Sequence, residues 1–103
     1  MGTFRLMYVD DEKDIRYLFK KSVEANGGFV VQTVSSGKKA LAMAAKERPD
    51  LILLDVNMPG MDGFETLERL KRDKRNADIP VVMLTCRKDD EAKIQASRLD
   101  SEA

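Results

Sequence analysis

Histidine and tryptophan are absent from the 103 residues, cysteine occurs once, and neither sign of charge is in excess: 18 Lys plus Arg face 18 Asp plus Glu. Each scarcity narrows the chemistry. Without histidine there is no His-based catalytic triad and no histidine zinc site. The lone Cys86 forms no intrachain disulfide, which suits a reducing compartment. Zero net charge gives no general attraction to nucleic acid or to an anionic membrane surface. No apolar run approaches the ~20 residues that span a bilayer, and Met1-Gly2-Thr3-Phe4-Arg5 lacks a signal-peptide pattern. The expected location is the cytoplasm. Internal repeats and Pro/Gly/Ser-rich linkers are also missing. A hydrophobic share of 43% with 35% charged residues then reads as a single globular domain over residues 1–103.

What is present alternates between short apolar runs and longer helical patterns. Phe4 to Val9 reads as a strand closed by Asp10-Asp11. Asp14 is placed to cap a helix carrying Ile15, Leu18, Phe19 and Val23 at three-four spacing. Asn26-Gly27-Gly28 ends it, since these residues tolerate the left-handed conformation. Phe29 to Val34 is a β-branched second strand. Ser36 can cap a helix bearing Ala40, Leu41, Ala44 and Ala45, with Pro49 just beyond its end. Leu51 to Leu54 is unbroken apolar, as expected of a strand covered on both faces, and runs into Asp55. After the loop Val56 to Met61, a helix should turn Phe64, Leu67 and Leu70 inward. Pro80 to Leu84 reads as a fourth strand, and Asp89 or Asp90 can open a last helix through Ala92, Ala96 and Leu99. Connections of this length make the strands parallel, so the expected fold is α/β, a doubly wound sheet with helices on both faces.

The chemistry-bearing residues gather at strand ends: Asp10 and Asp11 after the first, Asp55 after the third, Thr85 after the fourth. Ligands of open α/β sheets bind outside the carboxyl ends of strands. Taken singly, an acidic pair after a strand is often a helix cap, and an Asp or Thr at a strand end is more often structural than reactive. Their joint placement is what carries the reading. If strands one and three are neighbours, three carboxylates meet and repel. A hard cation such as Mg²⁺ relieves that repulsion, and an aspartate beside it can attack phosphorus. Two other motifs fail on spacing. Asp55-Val56-Asn57 with Gly60 begins like a calcium loop, but Pro59 and Thr66 occupy its fifth and twelfth positions. No G-x-x-x-x-G-K-S/T or G-x-G-x-x-G follows any strand.

The segments Val9 to Glu12 (VDDE), Leu51 to Gly63 (LILLDVNMPGMDG) and Pro80 to Thr85 (PVVMLT) resemble the receiver domains of two-component response regulators, and the resemblance spans essentially the whole chain. It implies strand order 2-1-3-4 and a phosphoacceptor signalling role, with Asp55 receiving a phosphoryl group from a sensor histidine kinase or phosphotransfer protein. Asp11 would bind Mg²⁺ directly, Asp10 mainly through water, and the Asn57 carbonyl would complete the protein ligands beside Asp55. Thr85 would be the switch hydroxyl, Asn57 and Arg87 would tune phosphoryl lifetime, and Pro59 and Gly63 would shape the loop. The family continues into a fifth strand with a lysine and a fifth helix. This chain ends at Ala103, so the reading is of a receiver truncated before them, with no residue matching that lysine; Lys88 and Lys93 lie elsewhere. An unpaired fourth strand would then invite dimerisation. No enzyme activity is expected beyond the domain's own phosphorylation and dephosphorylation. The alternatives are an aspartyl-nucleophile phosphatase, disfavoured by Asn57 where a second acid is needed, and a pseudo-receiver that serves only as an interaction platform.

Overall fold

The computed structural model of the chain describes residues 3–56 and 63–84. Strand β1 (Phe4–Val9), helix α1 (Lys13–Glu24), β2 (Phe29–Val34), α2 (Gly37–Lys46), β3 (Leu51–Asp55), α3 (Gly63–Arg72) and β4 (Val81–Leu84) follow in order. The strands form one sheet in the order β2-β1-β3-β4. Every pairing is parallel, with Leu6 opposite Val31, Met7 opposite Ile52, and Asp55 opposite Leu84. This is the expected doubly wound architecture. The expected helix beyond Asp89, together with Asn57, Pro59, Thr85 and Arg87, lies outside the described residues.

Alternation along β1 explains why the strands read as apolar runs rather than as alternating ones. Met7 and Val9 point to one face, where Val34, Ala40, Ala44, Ile52, Leu54, Leu70 and Ile79 pack under α2 and α3. Leu6 and Tyr8 point to the other, where Val31 and half-buried Ile15, Phe19, Val23, Leu51 and Leu53 gather under α1. Both faces are covered, so both parities must be apolar.

Local signals held at most helix ends. The Ser36 hydroxyl accepts the Lys39 N–H at 3.1 Å and caps α2. Gly27 (φ 76°) and Gly28 (φ 81°) take the left-handed backbone that releases the chain from α1 into β2. The start of α1 differs from expectation. Its N-cap is Glu12, whose side chain makes no capping bond, and Asp14 lies in the first turn. The Asp10 carboxylate takes the Glu12 N–H at 2.9 Å, and the Arg16 N–H donates to the Glu12 carbonyl at 3.1 Å, so the helix begins two residues before Asp14 could cap it.

The inward facing expected of Phe64 fails, and two residues on the apolar helical patterns, Leu18 and Ala45, are also outside the core. Leu18 is 58% exposed, Phe64 is 62% exposed and Ala45 is exposed. In α1 the buried stripe follows the i, i+4 row of Ile15, Phe19 and Val23, which leaves Leu18 to one side. In α3 the buried row is Gly63, Thr66 and Leu70, with Phe64 about 100° round from Gly63.

At the sheet margin, β2 has β1 on one side only. Phe4 N–H to the Gly28 carbonyl and Asp10 N–H to the Val34 carbonyl show that even-numbered β2 residues face β1. Val31 therefore turns its main-chain groups outward. Glu24 accepts the Val31 N–H at 2.8 Å, Lys20 donates to the Val31 carbonyl at 2.7 Å, and the two side chains pair at 3.0 Å. Two α1 side chains thus stand in for a neighbouring strand.

The Val31 N–H, followed by Lys20, holds the Glu24 carboxyl below its ordinary value. A lowered folded-state value stabilises the fold above the unfolded carboxylate range and loses that effect as pH falls. Glu24→Ala should therefore lower Tm at pH 7, and the gap from the unsubstituted chain should narrow toward about pH 3. Thermal melts at both pH values check this.

Candidate functional site

Strand β1 carries its hydrogen bonding one residue past its last rung, since the Asp10 N–H donates to the Val34 carbonyl at 3.1 Å. The chain then turns into α1. Asp10 is fully buried, and Asp11, next along, is exposed. Asp55 is the last residue of the neighbouring strand β3 and only 2% exposed. The Val56 N–H donates to the Leu84 carbonyl at 2.7 Å and ties this strand end to β4. Val9 stands opposite Leu54, so one further step along both strands brings Asp10 beside Asp55. One carboxylate oxygen from each of Asp10, Asp11 and Asp55 lies within 4.8 Å of the others.

The surroundings of Asp10 set its orientation. Its Oδ1 accepts the Glu12 N–H at 2.9 Å, and its Oδ2 accepts the Tyr8 hydroxyl at 2.7 Å. Its carbonyl accepts from Arg16 Nη1 at 2.9 Å, which folds the first turn of α1 back onto the strand end. Among the described residues, neither Asp10 nor Asp11 forms a salt bridge to a lysine or arginine. Three converging carboxylates, two of them buried, are an all-oxygen donor set suited to a hard divalent cation. Both oxygens of Asp10 already serve as acceptors, whereas Asp11 is open to solvent.

Of the residues singled out from sequence, Asp10, Asp11 and Asp55 come together, and Gly63 lies against the main chain of Asp55 and Val56. The Gly63 N–H donates to the Val56 carbonyl at 3.2 Å. A methyl group at Gly63 would stand 2.5 Å from the Asp55 carbonyl oxygen and 2.6 Å from Val56 Cα. The bare Cα is what lets α3 approach the end of β3. Asn57, Pro59, Thr85 and Arg87 lie outside the described residues. Sequence reasoning missed Tyr8 and Arg16. The signal for Tyr8 was available: two residues before Asp10 on a strand, it shares the face of Asp10, and its polar tip needs a partner there.

Comparison with known proteins accords with this geometry. The family model described as the response regulator receiver domain matches residues 6–102. The chain is 43% identical over 91 residues to the DNA-binding dual master transcriptional regulator RpaA of Synechocystis sp., covering 88% of this chain and 37% of that protein. It is 48% identical over 82 residues to the response regulator PleD of Caulobacter vibrioides, covering 79% of this chain and 18% of that one. The chain thus spans well under half of these curated relatives. Among solved structures, Vibrio cholerae chemotaxis protein CheY4 superposes with a TM-score of 0.77 at 34% identity, covering 95% of this chain and 80% of that one. The N-terminal domain of a response regulator receiver protein from Methanoculleus marisnigri gives 0.76 at 38% identity, covering 91% and 76%.

The close approach at Gly63 yields a direct test. Gly63→Ala must push α3 off the end of β3, at a cost of about 1–3 kcal/mol in stability. Tm should fall, and modification of Asp55 should slow beyond what the lost folded fraction accounts for. Melts and phosphorylation rates measured well below Tm separate the two effects.

Proposed function

The chain belongs to the response regulator receiver domain family, and on that premise we propose that Asp55 accepts a phosphoryl group from a sensor histidine kinase or phosphotransfer protein. The observation that carries this reading is the convergence of Asp10, Asp11 and Asp55 within 4.8 Å at the carboxyl edge of the sheet. An Asp55 carboxylate oxygen attacks phosphorus. The new P–O bond forms as the P–N bond of the phosphohistidine breaks, and the imidazole leaves with that electron pair. Bound Mg²⁺ supplies charge neutralisation for the phosphoryl oxygens. Asp11, Asp55 and the Asn57 carbonyl would hold it directly, and Asp10 would hold it through water. Positioning dominates such transfers, and burial of Asp55 keeps its carboxylate in place.

The Thr85 hydroxyl would then donate a hydrogen bond to a phosphoryl oxygen and act as the switch. Asn57 and Arg87 govern how long the group lasts, and Pro59 and Gly63 shape the loop over it. The chain's catalysis is limited to its own phosphorylation and dephosphorylation. The added charge of about −1.5 to −2 biases a two-state surface. RpaA is named as a DNA-binding regulator. For this chain, with zero net charge, only the signal-receiving role is carried over, in the cytoplasm.

Incubation with acetyl phosphate and Mg²⁺ should add about 80 Da, one phosphoryl group. The adduct should disappear in Asp55→Asn and on chelation of Mg²⁺. Intact-mass spectrometry reads it directly. An adduct that persists in Asp55→Asn, or none on the unsubstituted chain, contradicts the proposal.

A further inference from the structure

A carboxylate buried as completely as that of Asp10 needs a donor for each oxygen. Its two donors differ in kind. The Glu12 N–H on Oδ1 belongs to the main chain, and any residue at that position supplies it. The Tyr8 hydroxyl on Oδ2 is a matter of side-chain identity, because phenylalanine or leucine would fill the same apolar space under α1. The Tyr8 ring is held firmly: it is 3% exposed and stacks on Phe19 with centroids 4.3 Å apart and planes 18° apart. The hydroxyl therefore meets Asp10 with little freedom of its own.

We propose that Tyr8 is a positioning residue of the metal site: its hydroxyl holds the Asp10 carboxylate toward Asp11 and Asp55 and so sets how tightly the three acids bind Mg²⁺. The inference rests on reading the acidic cluster as a Mg²⁺ site. Like charges on Asp11 and Asp55 push the Asp10 carboxylate away from the cluster, and the Tyr8 hydrogen bond opposes that rotation. Without it, binding a cation must first draw the carboxylate back. Partners that orient metal-site groups in this way typically contribute 10- to 100-fold in affinity. The Glu12 N–H remains in place, which points to the lower end of that range.

Tyr8→Phe keeps the ring on Phe19 and removes only the hydroxyl. The Mg²⁺ concentration for half-maximal acetyl phosphate labelling should rise about 10-fold, while the labelling rate at saturating Mg²⁺ is retained. A purely structural role would lower Tm and the saturating rate together and leave the Mg²⁺ midpoint in place; that result, or an unchanged midpoint in folded Tyr8→Phe, overturns the proposal. A second measurement does not depend on that variant folding. The chain has two tyrosines, and Tyr17 is 59% exposed, so Tyr17→Phe leaves Tyr8 as the sole reporter. Mg²⁺ should shift the ultraviolet absorption of Tyr8, saturating with the calorimetric binding curve. A Tyr8 band indifferent to Mg²⁺ that calorimetry shows to be bound overturns the proposal alone. Absence of Mg²⁺ binding by the unsubstituted chain overturns the metal-site reading and this proposal with it.

Discussion

Strands β1 and β3 lie side by side in parallel register, and their adjacency drives the carboxylates of Asp10, Asp11 and Asp55 within 4.8 Å of one another. Each ionised pair at that spacing repels by a few kcal/mol at an effective dielectric of about 20. The apolar packing on both faces of the sheet has to hold these strand ends together against that repulsion. Much of the surrounding structure serves this constraint. The Glu12 N–H and Tyr8 hydroxyl satisfy Asp10, Arg16 draws α1 back over the strand end, and the Val56 N–H anchors the end of β3 to β4.

Strand β1 does three things with one alternation. Met7 and Val9 fill the core beneath α2 and α3, and Leu6 and Tyr8 fill the core beneath α1. Tyr8 and Asp10 share a parity, so the residue that completes one core also reaches the acid that opens the site. Fold stability and site geometry are coupled here through a single side chain. The remote edge of the sheet is closed by a separate device, the Lys20 and Glu24 pair on Val31, which involves none of the site residues.

How much of this was legible in the sequence follows from the range of each signal. Apolar runs bounded by Gly, Asn and Asp placed β1 and β2 to the residue and β3 to within one, Asp55 belonging to the strand it was expected to follow, because strand ends coincide with chemical changes in the chain. Ser36 and Asn26-Gly27-Gly28 marked helix ends for the same local reason. Strand order came from the family resemblance, since no local pattern says which strands are neighbours. Helix facing was read less well. Periodicity finds an apolar side but not the narrow stripe that a sheet covers, so Phe64 was turned inward wrongly and Leu18, on the apolar pattern of α1, lies outside the core. The facing of α3 is decided by Gly63, which can press against the Asp55 main chain because it has no Cβ. Asp14 lies inside the first turn because the helical bonding of α1 already starts at the Glu12 carbonyl, which accepts the Arg16 N–H. The acidic set itself was fully legible as Asp10, Asp11 and Asp55. The orientation of Asp10 was not, because it depends on Tyr8 meeting it in space.

Like charges forced together at this strand edge make a site that a divalent cation would relieve. The most direct measurement is Tm as a function of Mg²⁺ for the unsubstituted chain and for Asp11→Asn. Removing one charge should raise Tm without the metal, because repulsion is relieved. Added Mg²⁺ should raise Tm of the unsubstituted chain by selective binding to the folded state and have little effect on the variant. A Tm of the unsubstituted chain that ignores Mg²⁺, or an equal rise in Asp11→Asn, would contradict the account.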